Sequence, residues 1–458
     1  MLILCFFLIT LIESQFITIK DRDFIRNSKP YYFMGTNFWY GINLAAEDPK
    51  RLITELENLR SIGITNLRIM GSSQGPNSEP YRMLDALEVD KEGNLDTRLL
   101  EGLDTLLAEI GKRNMTAVIP LNNFWHWSGG FPQYVHWHCN PNPIPYPVRY
   151  KPWDDLTDYI KGFYTCTKAI EQYKNFYKRL ANRINSKTGI AYKNDPTIMA
   201  WQLANEPWPV DLGETYTKWV EEMIKFIKSE DKNHLVSIGI EGLSSDSNYE
   251  KNSQFADYLT CHVWAQNWGW YNPKNNSTYE YAKKIAQEYI NNHTTIVRRV
   301  KKPFVLEEFG LARDNEGYES NTSTMYKDDY YGMIFGIVYS MAENGLASGV
   351  NFWAWAGKGR PKNPGGMWKR GDPWTGDPPH EPQGWYSVYD TDTTVNIIKE
   401  YAKKFNALAK FSDDEEEFPL THIALSIFLG AVALIVLIMI LVVHRKIPAD
   451  DEDTRLTT

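Results

Sequence analysis

Two glutamates that lie at the ends of apolar runs are the residues of this sequence best suited to chemistry. Glu206 follows the run 198–205, and Glu308 lies near the end of the run 304–309. Hydrolysis of a glycosidic bond needs two carboxyl groups on opposite sides of the anomeric carbon, one protonated to donate to the leaving oxygen and one ionised. A single Glu at a strand end more often only bonds a loop, whereas two at matching positions indicate a catalytic pair.

The apolar runs that carry these residues belong to a regular alternation of strand and helix patterns. Strands are predicted at 32–38, 64–70, 116–121, 198–205, 235–240, 258–263, 304–309 and 349–355. Amphipathic helices lie between them, as in the apolar face of Leu99, Leu103, Leu106, Leu107 and Ile110. Eight such units predict an α/β fold, a (β/α)8 TIM barrel, with long loops after its third and eighth strands. An open doubly wound sheet is the alternative, but no Gly-rich phosphate loop follows the first strand.

Tryptophan is concentrated on one predicted face of this barrel. The chain has 16 Trp and 27 Tyr, and most of the Trp residues lie at strand ends or in the loops that follow. In a (β/α)8 barrel these loops form the active face. Because flat rings stack well on sugars, the pattern predicts an aromatic groove for a sugar chain, although some rings will only pack loops together.

The charge of the chain excludes some partners. The 458 residues carry a formal net charge of −8, and the acidic excess is concentrated after residue 411. The remaining body is nearly neutral, which argues against nucleic acid as a partner, because a binder of nucleic acid needs a basic face. A neutral polymer is the better match.

Several ordered motifs together resemble one known family. The motif Asn205-Glu206-Pro207 follows an apolar strand, and Glu308-Phe309-Gly310 follows later. With them occur the stretches 35–41, 66–69, 122–125, 195–202, 262–270 and 371–392. This set, which spans residues 16–409, resembles glycoside hydrolase family 5, and within it the endo-β-1,4-mannanase subfamily. The resemblance implies a mannan endo-1,4-β-mannosidase that acts by double displacement on mannan, glucomannan or galactomannan, as a monomer.

The resemblance also assigns the two glutamates their roles. It makes Glu206 the general acid/base and Glu308 the nucleophile, with no cofactor and no metal. Strand alternation supports Glu308 over Glu307, since Leu306 and Glu308 share one face and Glu307 is expected to point the other way.

The remaining site residues follow from the same resemblance. Arg68 is expected to lie near Glu308 and keep it ionised, Asn205 to hold the 2-hydroxyl of the reacting sugar, and His262 to line the centre of the site. Trp353 is expected to form the floor, with Trp355 as second choice. Further substrate contacts are expected from Trp39, Asn123, Trp208 and Trp264.

The sequence departs from the family at two of these positions. Trp208 stands where many mannanases have an Arg that grips the leaving-group sugars, which could alter acceptor preference. Trp264 stands where many members have a Tyr that contacts the nucleophile, and Tyr271 is the alternative residue for that contact.

The two ends of the chain indicate export and membrane anchoring. Residues 1–14 are expected to be a signal peptide and 15–411 the catalytic domain, followed by an acidic linker at 412–422. Residues 423–443 carry no charge and have the length of a membrane-spanning helix, and 444–458 form the expected cytoplasmic tail. This predicts a single-pass membrane protein of the secretory pathway, with its catalytic domain outside the cell or in a lumen.

The cysteines, the glycosylation sequons and two histidines give further indications. Cys139 and Cys166 could pair, and Cys261 in an apolar strand is expected to be a buried free thiol. Five Asn-x-Ser/Thr sequons support export only weakly. His136 and His138 could suggest a metal site, but no second ligand pair has zinc spacing.

Other functions remain as alternatives. A β-1,4-glucanase, an exo-β-mannosidase or a transglycosylase would fit the same motifs. An inactive membrane-bound carbohydrate receptor is the alternative from another class, although a receptor does not need a paired acid and nucleophile.

Overall fold

A computed structural model of the chain describes residues 16–78, 81–146, 153–242 and 248–411, with side chains up to residue 408. The expected signal peptide 1–14, linker 412–422, transmembrane helix 423–443 and tail 444–458 lie outside the described residues. Within the described part of the chain, no helix is both long enough and apolar enough to cross a membrane.

A parallel eight-stranded sheet forms the centre of the fold. Its strands are β4 (Phe33–Asn37), β5 (Asn66–Arg68), β6 (Thr116–Pro120), β7 (Ile198–Gln202), β8 (Leu235–Ser237), β9 (Leu259–Val263), β10 (Phe304–Phe309) and β11 (Gly349–Phe352). Their order is β8-β7-β6-β5-β4-β11-β10-β9. The backbone N–H of Asp257 donates to the carbonyl of Val236, and that of His262 to Glu241, each over 2.8 Å. These bonds join the two edges, so the predicted barrel is confirmed.

Helices follow the strands around this sheet. They are α1 (Gly41–Glu47), α2 (Pro49–Ser61), α3 (Thr97–Lys112), α4 (Gly130–His138), α5 (Asp154–Ile160), α6 (Thr167–Ala181), α7 (Gly213–Glu230), α8 (Tyr249–Ser253), α9 (Tyr279–Val300), α10 (Met325–Glu343) and α11 (Thr394–Phe411). The sequence dictates α3 clearly: the Asp96 side chain caps its first turn by accepting from Leu99 N, and its predicted apolar face is buried.

An N-terminal meander covers the bottom of the barrel. It consists of β1 (Thr18–Lys20), β2 (Asp23–Arg26) and β3 (Lys29–Pro30), which pair antiparallel. Phe24 packs its fully buried ring on Phe33 and Tyr258 beneath the sheet. The strand ends opposite this meander therefore carry the open face.

The eighth predicted strand is shorter than expected. The run 349–355 is divided into β11 and β12 (Trp355–Gly357), and β12 pairs with β13 (Val388–Tyr389) from the far end of the loop. Asp377 accepts from the backbone N–H groups of Gly384, Tyr386 and Ser387 inside this loop. These bonds order a long segment that has little regular secondary structure.

The described residues of the loop after β6 also contain regular structure. It contains α4 and α5, and Cys139 forms a disulfide with Cys166. Cys261 is a buried free thiol, as predicted. His136 and His138 lie on α4, where His136 contacts the Asn142 carbonyl and His138 contacts the Gln172 side chain. Neither belongs to a metal-ligating group among the described residues.

Candidate active site

The carboxyl ends of β5, β7, β9 and β10 bring four charged side chains together. Glu206 follows β7 and Glu308 lies in β10, while Arg68 ends β5 and His262 lies in β9. All four are buried, with Glu206 the most exposed at 8 %. Glu206 has a φ of +51°, a left-handed conformation uncommon for a side chain of this kind, which turns the chain sharply out of the strand.

His262 lies between the two carboxylates. Its Nδ1 is 2.5 Å from Oε1 of Glu206 and 3.3 Å from Oε2 of Glu308. One oxygen of each carboxylate and one ring nitrogen of His262 all lie within 4.8 Å of one another. The two carboxyl groups thus face the same small space.

Arg68 supports the opposite side of the pair. Its Nη1 forms an ion pair with Oε1 of Glu308, and its Nη2 donates to Oδ1 of Asn205 over 2.8 Å. Nε donates to Oε1 of Gln202, also over 2.8 Å. The expected proximity of Arg68 and Glu308 is therefore present in the structure.

Strand alternation does not separate Glu307 from Glu308 in the structure, so the predicted outward direction of Glu307 is wrong. The pairing of β10 with β9 shifts between Leu306 and Glu308, which leaves Glu307 as an extra residue in a β-bulge. Both carboxylates consequently point into the barrel, and Glu307 accepts from Nε2 of Gln202.

Burial and mutual charge shift the pKa values of the three titratable groups. Burial raises the pKa of Glu308 to about 7, against the opposing charges of His262 and Arg68. Burial alone would raise the pKa of Glu206 as well, but His262, the Trp125 indole and Arg68 lower it. Burial would lower the pKa of His262, whereas Glu308 and Glu206 raise it to about 10. The pKa of Glu308 is therefore raised even though the Arg68 guanidinium is in direct contact with it.

The same cluster is the only potential metal-ligand group in the described part of the chain. Glu206, His262 and Glu308 could each offer one ligand atom. A metal needs a deprotonated imidazole, yet His262 is held protonated and the Arg68 guanidinium is already in contact with Glu308. The donor set therefore fits a metal poorly.

A cavity of about 730 Å³ opens above the charged cluster. Asn205, Glu206 and Glu308 lie at its base, and Trp353 and Trp264 line it. Further rings and polar side chains come from the loops after β6, β9 and β11, among them Trp125, Trp127, Trp153, Asn267, Trp268, His380, Glu381 and Trp385. An aromatic groove with two carboxylates at its base fits a sugar.

Comparison with known proteins assigns this site to a family. A model of the "GH family 5 beta-mannosidase-like" proteins matches residues 14–410. The chain belongs to glycoside hydrolase family 5. This membership makes it a glycosidase, in agreement with the predicted enzyme class.

Relatives in this family are named for mannan. The chain is 30 % identical over 424 residues to "Putative mannan endo-1,4-beta-mannosidase 4" of Arabidopsis thaliana, covering 87 % of this chain and 93 % of the relative. It is 30 % identical over 360 residues to "Mannan endo-1,4-beta-mannosidase 5" of Solanum lycopersicum, covering 74 % and 80 %.

Solved structures agree with this assignment. The family 5 mannosidase of Rhizomucor miehei superposes with a TM-score of 0.82 at 39 % identity, over 87 % of this chain and 99 % of that one. The endo-β-1,4-mannanase of Thermotoga petrophila superposes with a TM-score of 0.62 at 25 % identity, over 86 % and 79 %.

Several residues predicted to contact substrate in this family 5 glycosidase lie elsewhere. Trp39 is buried behind the cavity, where its indole donates to the Gly376 carbonyl. Asn123 is fully buried and accepts from Nδ2 of Asn205, so it supports that side chain instead. Trp208 packs beside Phe124 with 36 % of its surface exposed, and it is not among the residues that line the cavity.

The choice between the two floor tryptophans is decided by the structure. Trp353 lines the cavity, whereas the Trp355 indole donates to Glu55 behind the barrel wall. Tyr271 lines the cavity, but its hydroxyl makes no hydrogen bond within the described residues, so it does not replace the missing contact to Glu308.

Two functional residues were not identified from the sequence. Trp125 donates its indole N–H to Oε2 of Glu206 over 2.6 Å. The available signal for Trp125 was its place in the stretch 122–125, which resembles the family. Gln202 binds both Arg68 and Glu307 inside the barrel. The available signal for Gln202 was its polar side chain in an otherwise apolar strand.

Proposed function

We propose that this glycosidase hydrolyses β-1,4-mannosidic bonds inside mannan-type polysaccharides with retention of configuration, using Glu206 as acid/base and Glu308 as nucleophile. The observation that carries the proposal is the close approach of the two carboxylates, which have oxygens within 4.8 Å of one another. Retaining enzymes hold their carboxyl groups about 5–5.5 Å apart, whereas inverting enzymes leave about 6.5–9.5 Å for a water molecule.

In the first step, an oxygen of Glu308 attacks the anomeric carbon while Glu206 donates its proton to the departing glycosidic oxygen. The bond from the anomeric carbon to the leaving sugar breaks as the covalent glycosyl-enzyme forms. In the second step, Glu206 takes a proton from water, whose oxygen attacks the anomeric carbon and releases Glu308. The first step needs Glu308 ionised before attack and Glu206 protonated at departure, and the second step needs Glu206 ionised so that it can accept the proton of water.

In the free site the proton is favoured on Glu308 and not on Glu206, which is the reverse of what the first step needs. The reason is that the pKa of Glu308 is raised to about 7 and that of Glu206 is lowered. His262 contacts both carboxylates through one nitrogen, Nδ1. We infer that this contact lets the proton pass to Glu206 when a sugar excludes water and its glycosidic oxygen lies beside Glu206. The macroscopic proton affinities belong to the cluster as a whole.

The sugar contacts follow the side chains that line the cavity. Trp353 and Trp264 lie at 79° to one another with ring centroids 5.7 Å apart, which offers a floor and a side wall to one sugar ring. Asn205 lies beside Glu206 at the base and is oriented by Arg68 and Asn123. Its proposed ligand is the 2-hydroxyl of the reacting sugar.

A substrate panel tests this function. Purified protein is incubated with mannan, glucomannan and cellulose, with Glu308→Gln as the matched inactive control. The proposal expects release of reducing ends from mannan and glucomannan by the wild-type protein only. Release from cellulose but not from mannan would contradict the substrate assignment, and equal release by Glu308→Gln would contradict the nucleophile.

Attack at chain ends is a second candidate, favoured by contacts between the two long loops. In the sheet, β5 and β4 separate β6 from β11. The loops after β6 and β11 nevertheless meet, because the His380 ring lies parallel to Trp127 at 6.4 Å and contacts His126 at 5.3 Å. These contacts wall one side of the cavity, as expected of an enzyme that accepts only a chain end.

Product sizing separates the two modes. Cleavage of mannohexaose labelled at its reducing end is followed at early times. Internal attack gives several labelled lengths at once, whereas attack at the non-reducing end gives mannose and labelled mannopentaose first. If the wild type releases only mannose and His380→Ala releases mixed lengths, the loop contact accounts for the chain-end mode.

We further propose that the protein is held in a membrane by residues 423–443, with residues 15–411 outside the cell or in a lumen. The proposal rests on the uncharged sequence of 423–443 and the basic residues directly after it. In membranes of a eukaryotic host, the full chain should resist carbonate extraction. The variant Leu434→Arg/Leu437→Arg should be extracted, since each Arg at a helix centre costs about 2.5–3.5 kcal/mol. Extraction of the full chain would contradict the anchor.

A further inference from the structure

Glu307 occupies the barrel interior directly beneath the catalytic pair. The β-bulge in β10 turns it inward beside Glu308, and its side chain is 1 % exposed. Gln202 Nε2 donates to both of its oxygens, over 2.7 and 2.8 Å. A carboxylate at such depth is costly unless nearby groups balance its charge.

Two cations link Glu307 to the catalytic carboxylates. Arg68 directs Nη1 at Glu308, while its Nε lies 3.6 Å from Oε2 of Glu307. His262 directs Nδ1 at Glu206 and Glu308, while its Nε2 lies 3.9 Å from the same Oε2. Each cation therefore has a catalytic carboxylate on one side and Glu307 on the other.

We propose that Glu307 is a positioning residue, which holds Arg68 and His262 in place beneath the catalytic pair and supplies part of the negative charge that these two cations balance. This inference rests on the proposed function, because it explains how the same two carboxylates are tuned. The cluster contains three carboxylates and two cations, so its negative charge is not fully balanced. This excess of negative charge favours retention of one proton by the cluster, and the acid/base step can use that proton.

Other titratable groups also face Glu307. From the elements packed around it these are Arg68, Tyr258, Cys261, His262 and Glu308. The charge of Glu307 raises the pKa of Glu308, and its carboxylate beside Nε2 raises that of His262. Removal of this charge should therefore lower both.

The variant Glu307→Gln tests the inference. The cluster loses the proton that the acid step needs as pH rises through the pKa of Glu308, so a lower pKa at Glu308 moves this loss of activity to lower pH. We expect the basic limb of kcat/KM to move down by roughly 1 pH unit or more, with kcat reduced and KM nearly unchanged. The titration of His262, followed by 15N NMR of the imidazole, should also move to lower pH. A role limited to packing would reduce thermal stability and leave both titrations in place.

Two further variants keep the test decisive. Glu88→Gln is the matched control, since Glu88 is equally buried but bonds Tyr134 and Gln172 outside the cluster. Its basic limb should not move. The exchange Gln202→Glu/Glu307→Gln preserves the amide-carboxylate pair and moves the charge to the side chain that already accepts from Arg68 Nε. It should restore the wild-type basic limb, even if Glu307→Gln alone does not fold.

Two results would overturn the inference. One is a folded Glu307→Gln protein whose basic limb and His262 titration equal those of the wild type. The other is a folded exchange variant whose basic limb remains displaced. Failure of the proposed function is recognised separately, because Glu308→Gln would then retain activity whatever Glu307→Gln does.

Discussion

The indole N–H of Trp125 donates a hydrogen bond to Oε2 of Glu206 over 2.6 Å. This bond connects the loop after β6 to the proposed acid/base. It also favours the ionised form of Glu206 and helps to lower its pKa. The position of the loop after β6 therefore affects the protonation of Glu206, on which the proposed mechanism depends.

Replacement of Trp125 by Phe should separate this hydrogen bond from the packing of the ring. Loss of a donor to a carboxylate raises the pKa of Glu206, so the acid limb of kcat/KM, which follows the lower of the two carboxyl pKa values, should move to higher pH. The loss of a charge-assisted hydrogen bond, about 1.5–3 kcal/mol, corresponds to roughly a 10-fold to 150-fold decrease in kcat/KM. Measurement of kcat/KM across the pH range tests both effects, and an unmoved acid limb would contradict them.

Removal of either proposed catalytic carboxyl group should abolish most activity. Glu206→Gln and Glu308→Gln should fold and lose several orders of magnitude, roughly 10³–10⁵, in kcat on mannan. Azide should partly rescue Glu206→Ala on an activated aryl glycoside, because that variant lacks only the base for the second step. Glu109→Gln, on the outer surface of α3, serves as a control with wild-type rates. A fully active Glu308→Gln protein would exclude Glu308 as nucleophile.

The configuration of the first product should be β. Two displacements at the anomeric carbon restore the configuration of the substrate, and the close carboxylates favour this route. The anomeric proton of the newly formed reducing end is followed by NMR directly after mixing, before mutarotation. Early α product would indicate inversion and exclude the covalent intermediate.

The basic limb of kcat/KM should lie near neutral pH. The cluster needs one proton for departure of the leaving group, and the free enzyme loses this proton as pH rises through the pKa of Glu308, which burial raises to about 7. The activity of the free enzyme should therefore fall as pH increases through about 7. Initial rates at substrate concentrations far below KM give this profile, and activity that does not fall through this range would contradict the raised pKa of Glu308.

The disulfide should stabilise the loop that carries Trp125. Cys139 and Cys166 are 27 residues apart, and a cross-link of this length contributes about 3–4 kcal/mol in the chain-entropy account. Cys139→Ser/Cys166→Ser should reduce the free energy of unfolding by about that amount, measured in urea. An unchanged urea midpoint would show that the loop is held by its other contacts.

Local patterns in the sequence are sufficient for the barrel and the position of its chemistry. Eight apolar runs, each bounded by helix signals such as Asp96 before α3, produce the parallel sheet. The ends of parallel strands share one face, so Glu206 and Glu308 could be assigned to the same site. The family resemblance added Arg68, which the structure places in contact with Glu308.

The remaining features depend on contacts between residues distant in the chain. The bulge that turns Glu307 inward is a property of the pairing of β10 with β9, and strand alternation predicts the opposite. Trp39 and Trp355 resemble groove tryptophans in the sequence, but their indoles bond Gly376 and Glu55 away from the cavity. Residue type and spacing determine which strand end a side chain occupies. Whether that side chain faces the cavity or packs behind it depends on strand register and on the packing of distant loops. These two features determine which buried polar groups lie close enough to form hydrogen bonds.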